Sequence, residues 1–325
     1  MTLPSSLKKI AQGKFASREP RPFHRQTRAF HSAEILVRAF YACLLFFAAN
    51  GMGSWEGIAN RGAFDLLWPV AWLAWTNPHM GACLIFSLYL ASTLAAAFAP
   101  RSRWVRLAAF AGFFEYLALY YSTGKIGHSM HAWLLISFLL IFLPGAWAGP
   151  TLLNRRERQA FLLVFGTAQA FFLLTYSMAG LGKVAGAVYQ AIAGEVTCFH
   201  PQAFALHAAE RLLETNSSSA LGGWFIHHPL AGWPLMVGGV YLQFFSFLVF
   251  FRPPLVRLWA LGLAVFHLLS FFILTINFPA SVLLLALFLF HSPFLSRGYS
   301  WRETLKALPL FGPLFRRLPP PCAAS

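Results

Sequence analysis

The chain has 325 residues, of which 58 % are hydrophobic and 11 % charged, and its formal net charge is +15. Soluble domains usually carry about 25 % charged residues, so this chain cannot cover a globule with polar surface. A lipid-facing surface is the simplest explanation. Disordered chains, coiled coils and secreted disulfide scaffolds are excluded. The basic residues form short clusters between apolar runs, which favours a role in membrane orientation over nucleic-acid binding.

The apolar runs predict an all-α polytopic membrane protein with about eight transmembrane helices. Residues 1–32 form a basic N-terminal segment that is broken by prolines and is no secretory signal. The predicted spans are residues 33–51, 80–99, 104–121, 130–148, 159–181, 233–251, 258–276 and 279–294. The stretch Phe64–Trp75 is too short to cross and contains Pro69, and its tryptophans suit the membrane interface. A basic tail, 295–325, follows the last span.

The distribution of charge predicts the orientation. Twenty-one Lys and Arg residues fall on one side of the eight-span arrangement and four on the other. The positive-inside rule therefore places both termini in the cytoplasm, of a bacterial inner membrane in our interpretation. The longest outward segment is a loop at 182–232. Within it Phe204, Ala208 and Leu212 have the spacing of a helix lying on a surface.

Two groups of polar residues in the first half of the chain are candidates for a site. Glu115 lies within a predicted span, where a charge needs a partner, and Lys125 and Lys183 are predicted at the same outer end. His128 and His131 are three residues apart and would share a helix face. Hydrogen-bonded structural roles for all of these side chains are open alternatives.

The second half of the chain contributes a lysine and a histidine. Lys183 follows a long apolar run, and a lysine in that position either snorkels to the interface or, if desolvated, serves as a base. His267 lies midway along a predicted span and should point inward. The loop histidines His200, His207, His227 and His228 could join a metal site only if the loop folded over the bundle. Because HExxH is absent, we expect no metal.

Three patches resemble the vitamin K-dependent gamma-carboxylase-like membrane family, also called the horizontally transferred transmembrane domain (HTTM) family. Gly127-His128-Ser129 resembles an Asn-His-Ser patch of that family, and Tyr176 through Lys183 resembles its Tyr-Phe-x-Ala-Gly-x-x-Lys patch. Val265-Phe266-His267, with the stretch that continues to Pro293, resembles its Phe-His segment. The likeness covers about 33–294, the transmembrane domain.

The resemblance implies a possible chemistry. Lys183 would be the base acting on a reduced quinone of the vitamin K type, and His128 would assist it. His267 would line the same pocket, together with Glu115, His131 and Lys125. The carboxylase binds its protein substrate with a large outward domain, which we do not expect the tail 295–325 to form, so this resemblance leaves the substrate open.

Three functions remain as hypotheses. The first is a quinol-dependent, carboxylase-like enzyme (a lyase) acting at the outer face of the membrane. The second is a non-catalytic membrane factor for the maturation or export of a secreted peptide, or for immunity to it. The third is a transporter with a proton relay through Glu115 and His267. The lipid bilayer is the partner common to all three.

Overall fold

The structure is a computed structural model of the chain and describes residues 23–59, 65–124, 126, 128–144, 155–295 and 299–316. The described part is helical and contains no strand. Five of its helical stretches are long and apolar enough to cross a membrane. They are Ala29–Asn50, His79–Phe98, Arg156–Ile192, Pro229–Phe250 and Pro253–Leu274. The predicted all-α class is confirmed, while the count of eight spans remains a prediction.

Twelve α-helices are described, and we number them in chain order. They are α1 (Phe23–Ala59), α2 (Pro78–Phe98), α3 (Arg103–Tyr121), α4 (His131–Leu140), α5 (Arg155–Ile192), α6 (Ala203–Glu214), α7 (Ala220–His227), α8 (Trp233–Phe250), α9 (Val256–Leu274), α10 (Pro279–Leu284), α11 (Trp301–Ala307) and α12 (Gly312–Arg316). The chain divides into two compact units at Ala168 and Gln169, within α5.

Three predicted spans form helices that do not qualify as crossing helices. Segment 104–121 forms α3, which carries Arg103, Arg106 and Glu115. Segment 130–148 forms only the ten-residue α4, and its last residues lie outside the described part. Segment 279–294 forms α10, which continues as a π-helix to Phe290. Charge or short length therefore separates these three helices from the other five.

In the first unit, local sequence signals set the helix ends. Asn77 caps α2 by accepting hydrogen bonds from the backbone nitrogens of His79 and Met80, at 3.0 and 3.2 Å. Pro78 occupies the first helical position, where its missing N–H costs nothing. The predicted interfacial stretch forms a 3₁₀ helix, Trp68–Trp75, with Trp68 and Trp75 exposed. That agrees with a short segment that does not cross the membrane.

Some of the basic residues predicted to be orientation signals are built into the first unit. Glu34 is buried and pairs with Arg38 at 3.1 Å and with Arg101 at 2.9 Å. Arg106 is fully buried and donates to the backbone carbonyls of Pro100 and Leu143, both at 2.7 Å. These side chains therefore hold helix ends in place, a role that is independent of membrane orientation.

In the second unit, the predicted outer loop is largely helical. Helix α5 continues through Lys183 to Ile192, and Gly194 follows it with φ of +72°, a left-handed conformation that ends helices. The residues predicted to form a surface-lying helix form α6, which buries Phe204 and Ala208; its place on a membrane surface stays a prediction. Glycines at 182 and 186 did not stop α5, because apolar residues continue on both sides of them.

Helices α6 and α7 are fastened to the end of α9. Phe204, Ala208 and Phe225 form a cluster with Ile273 and Leu274. Ser219 donates to the carbonyl of Phe272, and a side chain at Gly222 would collide with the Ile273 carbonyl. We call α6 and α7 together the helical cap.

The described part of the predicted tail folds onto the second unit. A capping box of Ser300 and Glu303 starts α11. Arg252 donates to the carbonyl of Ala307 at 2.6 Å, and the Tyr241 hydroxyl donates to that of Pro309 at 2.8 Å. Residues 299–316 are thus an ordered part of this unit.

Candidate functional site

Lys183 lies within α5, nine residues before the helix ends at Ile192. At 1.5 Å per residue this is about 14 Å from the helix end. Tyr176, Gly180 and Lys183 are spaced i, i+4, i+7 and therefore share one face of α5. Lys183 thus lies inside a candidate crossing helix of 37 residues, and a snorkelling lysine and a desolvated base both remain predictions.

The face that carries Lys183 lies very close to α8. A Cβ atom at Gly180 would overlap the backbone of Phe244. Next to it, the Ser177 hydroxyl donates to the Phe244 carbonyl at 3.0 Å and accepts from the backbone nitrogen of Phe247 at 2.8 Å. Gly180 is therefore required for the close approach of the two helices, and this approach positions the lysine.

Lys183 is paired with an amide and not with a carboxylate. Its Nζ donates to Gln243 Oε1 at 2.8 Å. Gln243 lies inside α8 and is 6 % exposed. No ion pair to Lys183 occurs among the described residues. An amine with a neutral acceptor and no counter-ion can still receive an anionic or hydrogen-bonding ligand.

Lys183 and Gln243 border a cavity of about 420 Å³. This volume is in the range of small-molecule sites, about 300–1,000 Å³. Its walls come mainly from α8 and α9 and are mostly apolar, with Phe204 and His207 of the helical cap at one end. Sequence reasoning missed Gln243, although a single amide in the apolar run 233–251 was a signal for it.

The segment after α5 folds back over Lys183. Cys198 Sγ lies 3.8 Å from the Lys183 carbonyl oxygen. Burial raises the pKa of the Cys198 thiol, although the nearby Lys183 side chain acts in the opposite direction. Trp233 at the start of α8 donates to the Phe199 carbonyl at 2.9 Å. These contacts connect the end of α5 to the beginning of α8 beside the cavity.

His267 is buried in α9 and points at Tyr176. Its Nε2 lies 2.8 Å from the Tyr176 hydroxyl oxygen, and its ring centroid lies 4.9 Å from that of Phe278. Its Nδ1 is buried without a hydrogen-bond partner within the described part of the chain. The residues that line the cavity include Phe266 and Ser270 but not His267. His267 is thus held by Tyr176, two turns along α5 from Lys183.

The paired histidines and Glu115 belong to the first unit. The Nδ1 atoms of His128 and His131 are 3.2 Å apart, but the helix begins only at His131, so the two residues do not share a helix face as predicted. Glu115 Oε2 accepts from Trp72 Nε1 at 3.3 Å, a partner that the sequence did not suggest. Lys125, one of the partners predicted for Glu115, lies outside the described residues. A pocket shared by His128 and Lys183 remains a prediction.

The loop histidines have individual contacts. His228 stacks on Trp224 with ring centroids 4.5 Å apart, and His200 Nδ1 accepts from the backbone nitrogen of Gln202 at 3.3 Å. Within the described ranges, no group of three or more His, Cys, Asp or Glu side chains could hold a metal ion.

Throughout the described residues the chain is helical, and several of its helices are apolar, which indicates a multi-pass membrane protein. No protein family, curated protein or solved structure matches the chain. Its function has to be inferred from its own residues.

Proposed function

We propose that this is a multi-pass membrane protein whose second unit binds a lipid-soluble hydroquinone beside Lys183, as a carboxylase-like enzyme would. The observation that carries the proposal is the hydrogen bond between Lys183 Nζ and Gln243 Oε1 at the edge of an apolar cavity. The family resemblance of Tyr176 through Lys183 supports the same assignment.

The residues present fit a hydroquinone. Apolar walls suit its ring, and the Lys183 amine and Gln243 amide supply the few polar groups that orient a ligand in such sites. When bound, the hydroquinone would supply acidic hydroxyl groups. Lys183 would accept a proton at Nζ, which requires surroundings that favour the neutral amine. No carboxylate among the residues lining the cavity would stabilise the charged amine, and Gln243 would hold the amine in position.

Protection of Lys183 from a small amine reagent tests this proposal. In purified protein kept under reducing conditions, a prenylated naphthoquinol should lower labelling of Lys183 at least about fivefold, since a ligand on Nζ excludes the reagent. Labelling of Lys306 in α11, outside the cavity, should not change. Peptide mass spectrometry measures both sites in one sample.

Two variants sharpen the result. Gln243→Leu should weaken protection, because Nζ loses its acceptor, whereas Gln190→Leu, near the end of the same α5 that carries Lys183, should not. Equal labelling of Lys183 with and without the quinol would contradict the proposal. Binding of a secreted peptide that survives Lys183→Ala but not deletion of 200–228 would then favour the peptide-factor alternative.

We further propose eight spans with both termini in the cytoplasm of a bacterial inner membrane. The twenty-one to four distribution of Lys and Arg supports this orientation. A fluorescent reporter that matures only in the cytoplasm should be bright at both ends of the chain, and a phosphatase active only outside should work at Ser217.

The parity of the spans makes that experiment decisive. If only the five candidate helices crossed, the two termini would lie on opposite sides, and a reporter at one terminus would stay dark. An even number of crossings with inactive phosphatase at Ser217 would also contradict the arrangement, since 182–232 would then face inward.

A further inference from the structure

The cavity beside Lys183 has its shape because three glycines lie in its wall. Gly238 and Gly239 belong to α8, and Gly262 belongs to α9. A Cβ at Gly238 would meet no atom within 4 Å, so this position faces open space. A side chain at Gly238 would fill this space, whereas a Cβ at Gly239 or Gly262 would press against Phe266 or Leu242 across the groove.

The groove is elongated. On α9 its wall runs from Gly262 to Leu274 along a single face, which at 1.5 Å per residue is about 18 Å. Leu242 of α8 lies beside Gly262, and Gly239 lies beside Phe266. Gln243, next to Leu242, is therefore at the Gly262 end, and the helical cap is at the Leu274 end. This length exceeds what a single ring system occupies.

The polar groups that could receive a ligand are concentrated at the Gln243 end. Among the polar lining residues, the Ser270 hydroxyl donates to the Phe266 carbonyl of its own helix at 2.9 Å. The Tyr241 hydroxyl donates to the Pro309 carbonyl at 2.8 Å. At the far end His207 remains at the rim; it is exposed, as Lys183 also is, but Lys183 is hydrogen-bonded to the buried Gln243. Lys183 and Gln243 therefore form a polar end, and the rest of the groove is an apolar channel.

The groove is closed by the helical cap and open towards the side. Phe204 covers its end and is held against Gly232, where a Cβ would collide with the Phe204 ring. Val265, by contrast, is 44 % exposed, and it lines the groove in the middle of α9. Because α9 is a candidate crossing helix, this opening faces lipid in a spanning arrangement.

From these observations we infer that the groove holds the single apolar chain of an amphiphile whose polar head lies beside the hydrogen-bonded pair of Lys183 and Gln243. The amphiphile reaches the groove from the bilayer, past Val265. The inference deepens the proposed function and rests on it only for the chemical identity of the head. Gly238, Gly239 and Gly262 are then the residues that determine which chains fit.

The variant Gly238→Phe tests the inference, because its ring would fill the groove while its Cβ meets no neighbour. The matched control is Gly223→Phe in α7, where a Cβ also meets no atom within 4 Å and which does not line the cavity. Protection of Lys183 from the amine reagent is measured with two pairs of probes that differ in chain only. One pair is a naphthoquinol without and with a polyisoprenoid chain, and the other is acetate and palmitate.

In the unmodified protein, the probe with an apolar chain should half-protect Lys183 at a concentration at least about tenfold lower than its chainless counterpart, in at least one of the two pairs. The reason is that each buried methylene of the probe adds to binding. Gly238→Phe should reduce this advantage to about threefold or less and leave the chainless probe unchanged, while Gly223→Phe should keep the full advantage. The inference would be overturned if the probes with and without an apolar chain protected Lys183 at the same concentration in both pairs. It would also be overturned if the tenfold difference remained in Gly238→Phe. If only the fatty-acid pair protects, the groove stands and the hydroquinone head is wrong.

Discussion

Replacing Arg106 with alanine is expected to destabilise the first unit by at least about 3 kcal/mol, because hydrogen bonds from charged groups contribute about 1.5–3 kcal/mol each. Arg106 is fully buried. Its guanidinium donates to the carbonyls of Pro100 and Arg101, which precede α3, and to those of Ile141, Leu143 and Pro144, which follow α4. Alanine would leave buried carbonyl oxygens without donors and a cavity beside them. Denaturant titration of purified protein, followed by tryptophan fluorescence, measures the change.

Arg103→Ala is the matched control for Arg106→Ala. It lies one turn earlier in α3, removes the same charge from the same predicted cytoplasmic cluster, and is exposed. It should change the free energy of unfolding by less than about 0.5 kcal/mol. If the two variants were equally stable, Arg106 would act only as an orientation signal, and its hydrogen bonds to the carbonyls would contribute nothing to the free energy of unfolding.

The sequence predicts helices well in this chain because length and apolar composition are local properties. The spacing of Phe204 and Ala208 was enough to place α6, which buries both residues. The predicted span ended at 181 and a loop was predicted from 182, whereas α5 continues to Ile192, just before Gly194. Gly194 has a positive φ and Gly182 does not, and the sequence does not show φ.

The candidate site was predictable only in part. The spacing of Tyr176, Gly180 and Lys183 places them on one face of a helix, and that can be read without a structure. The partner Gln243 depends on how α5 and α8 are aligned, which is a non-local property. The same is true of Trp72, which donates to Glu115 from 43 residues away. Arg106 shows the converse problem, because the sequence of a basic cluster that is predicted to be cytoplasmic does not show which of its charges are buried.

Gly180→Ala is expected to separate α5 from α8 and to destabilise the second unit by about 2–3 kcal/mol, at the upper part of the range for overpacked contacts. The new Cβ would overlap the backbone of Phe244, and backbone cannot rotate away as a side chain can. Alanine favours helices over glycine by up to about 1 kcal/mol, so the steric term has to exceed that gain. Separation of α5 from α8 would also break the hydrogen bond between Lys183 and Gln243. A prenylated naphthoquinol should then no longer protect Lys183 from the amine reagent.

Gly182→Ala supplies the control, two residues away in the same helix. A Cβ there would meet no atom within 4 Å, so only the gain in helix propensity remains, and stability should be unchanged or higher by up to about 1 kcal/mol. Thermal unfolding and Lys183 protection, measured on both variants, separate a packing effect from a general effect of removing glycine. If Gly180→Ala behaved as Gly182→Ala does, α5 and α8 would not lie in contact at Phe244. The position of Lys183 against Gln243, on which the hydroquinone proposal depends, would then have to be abandoned.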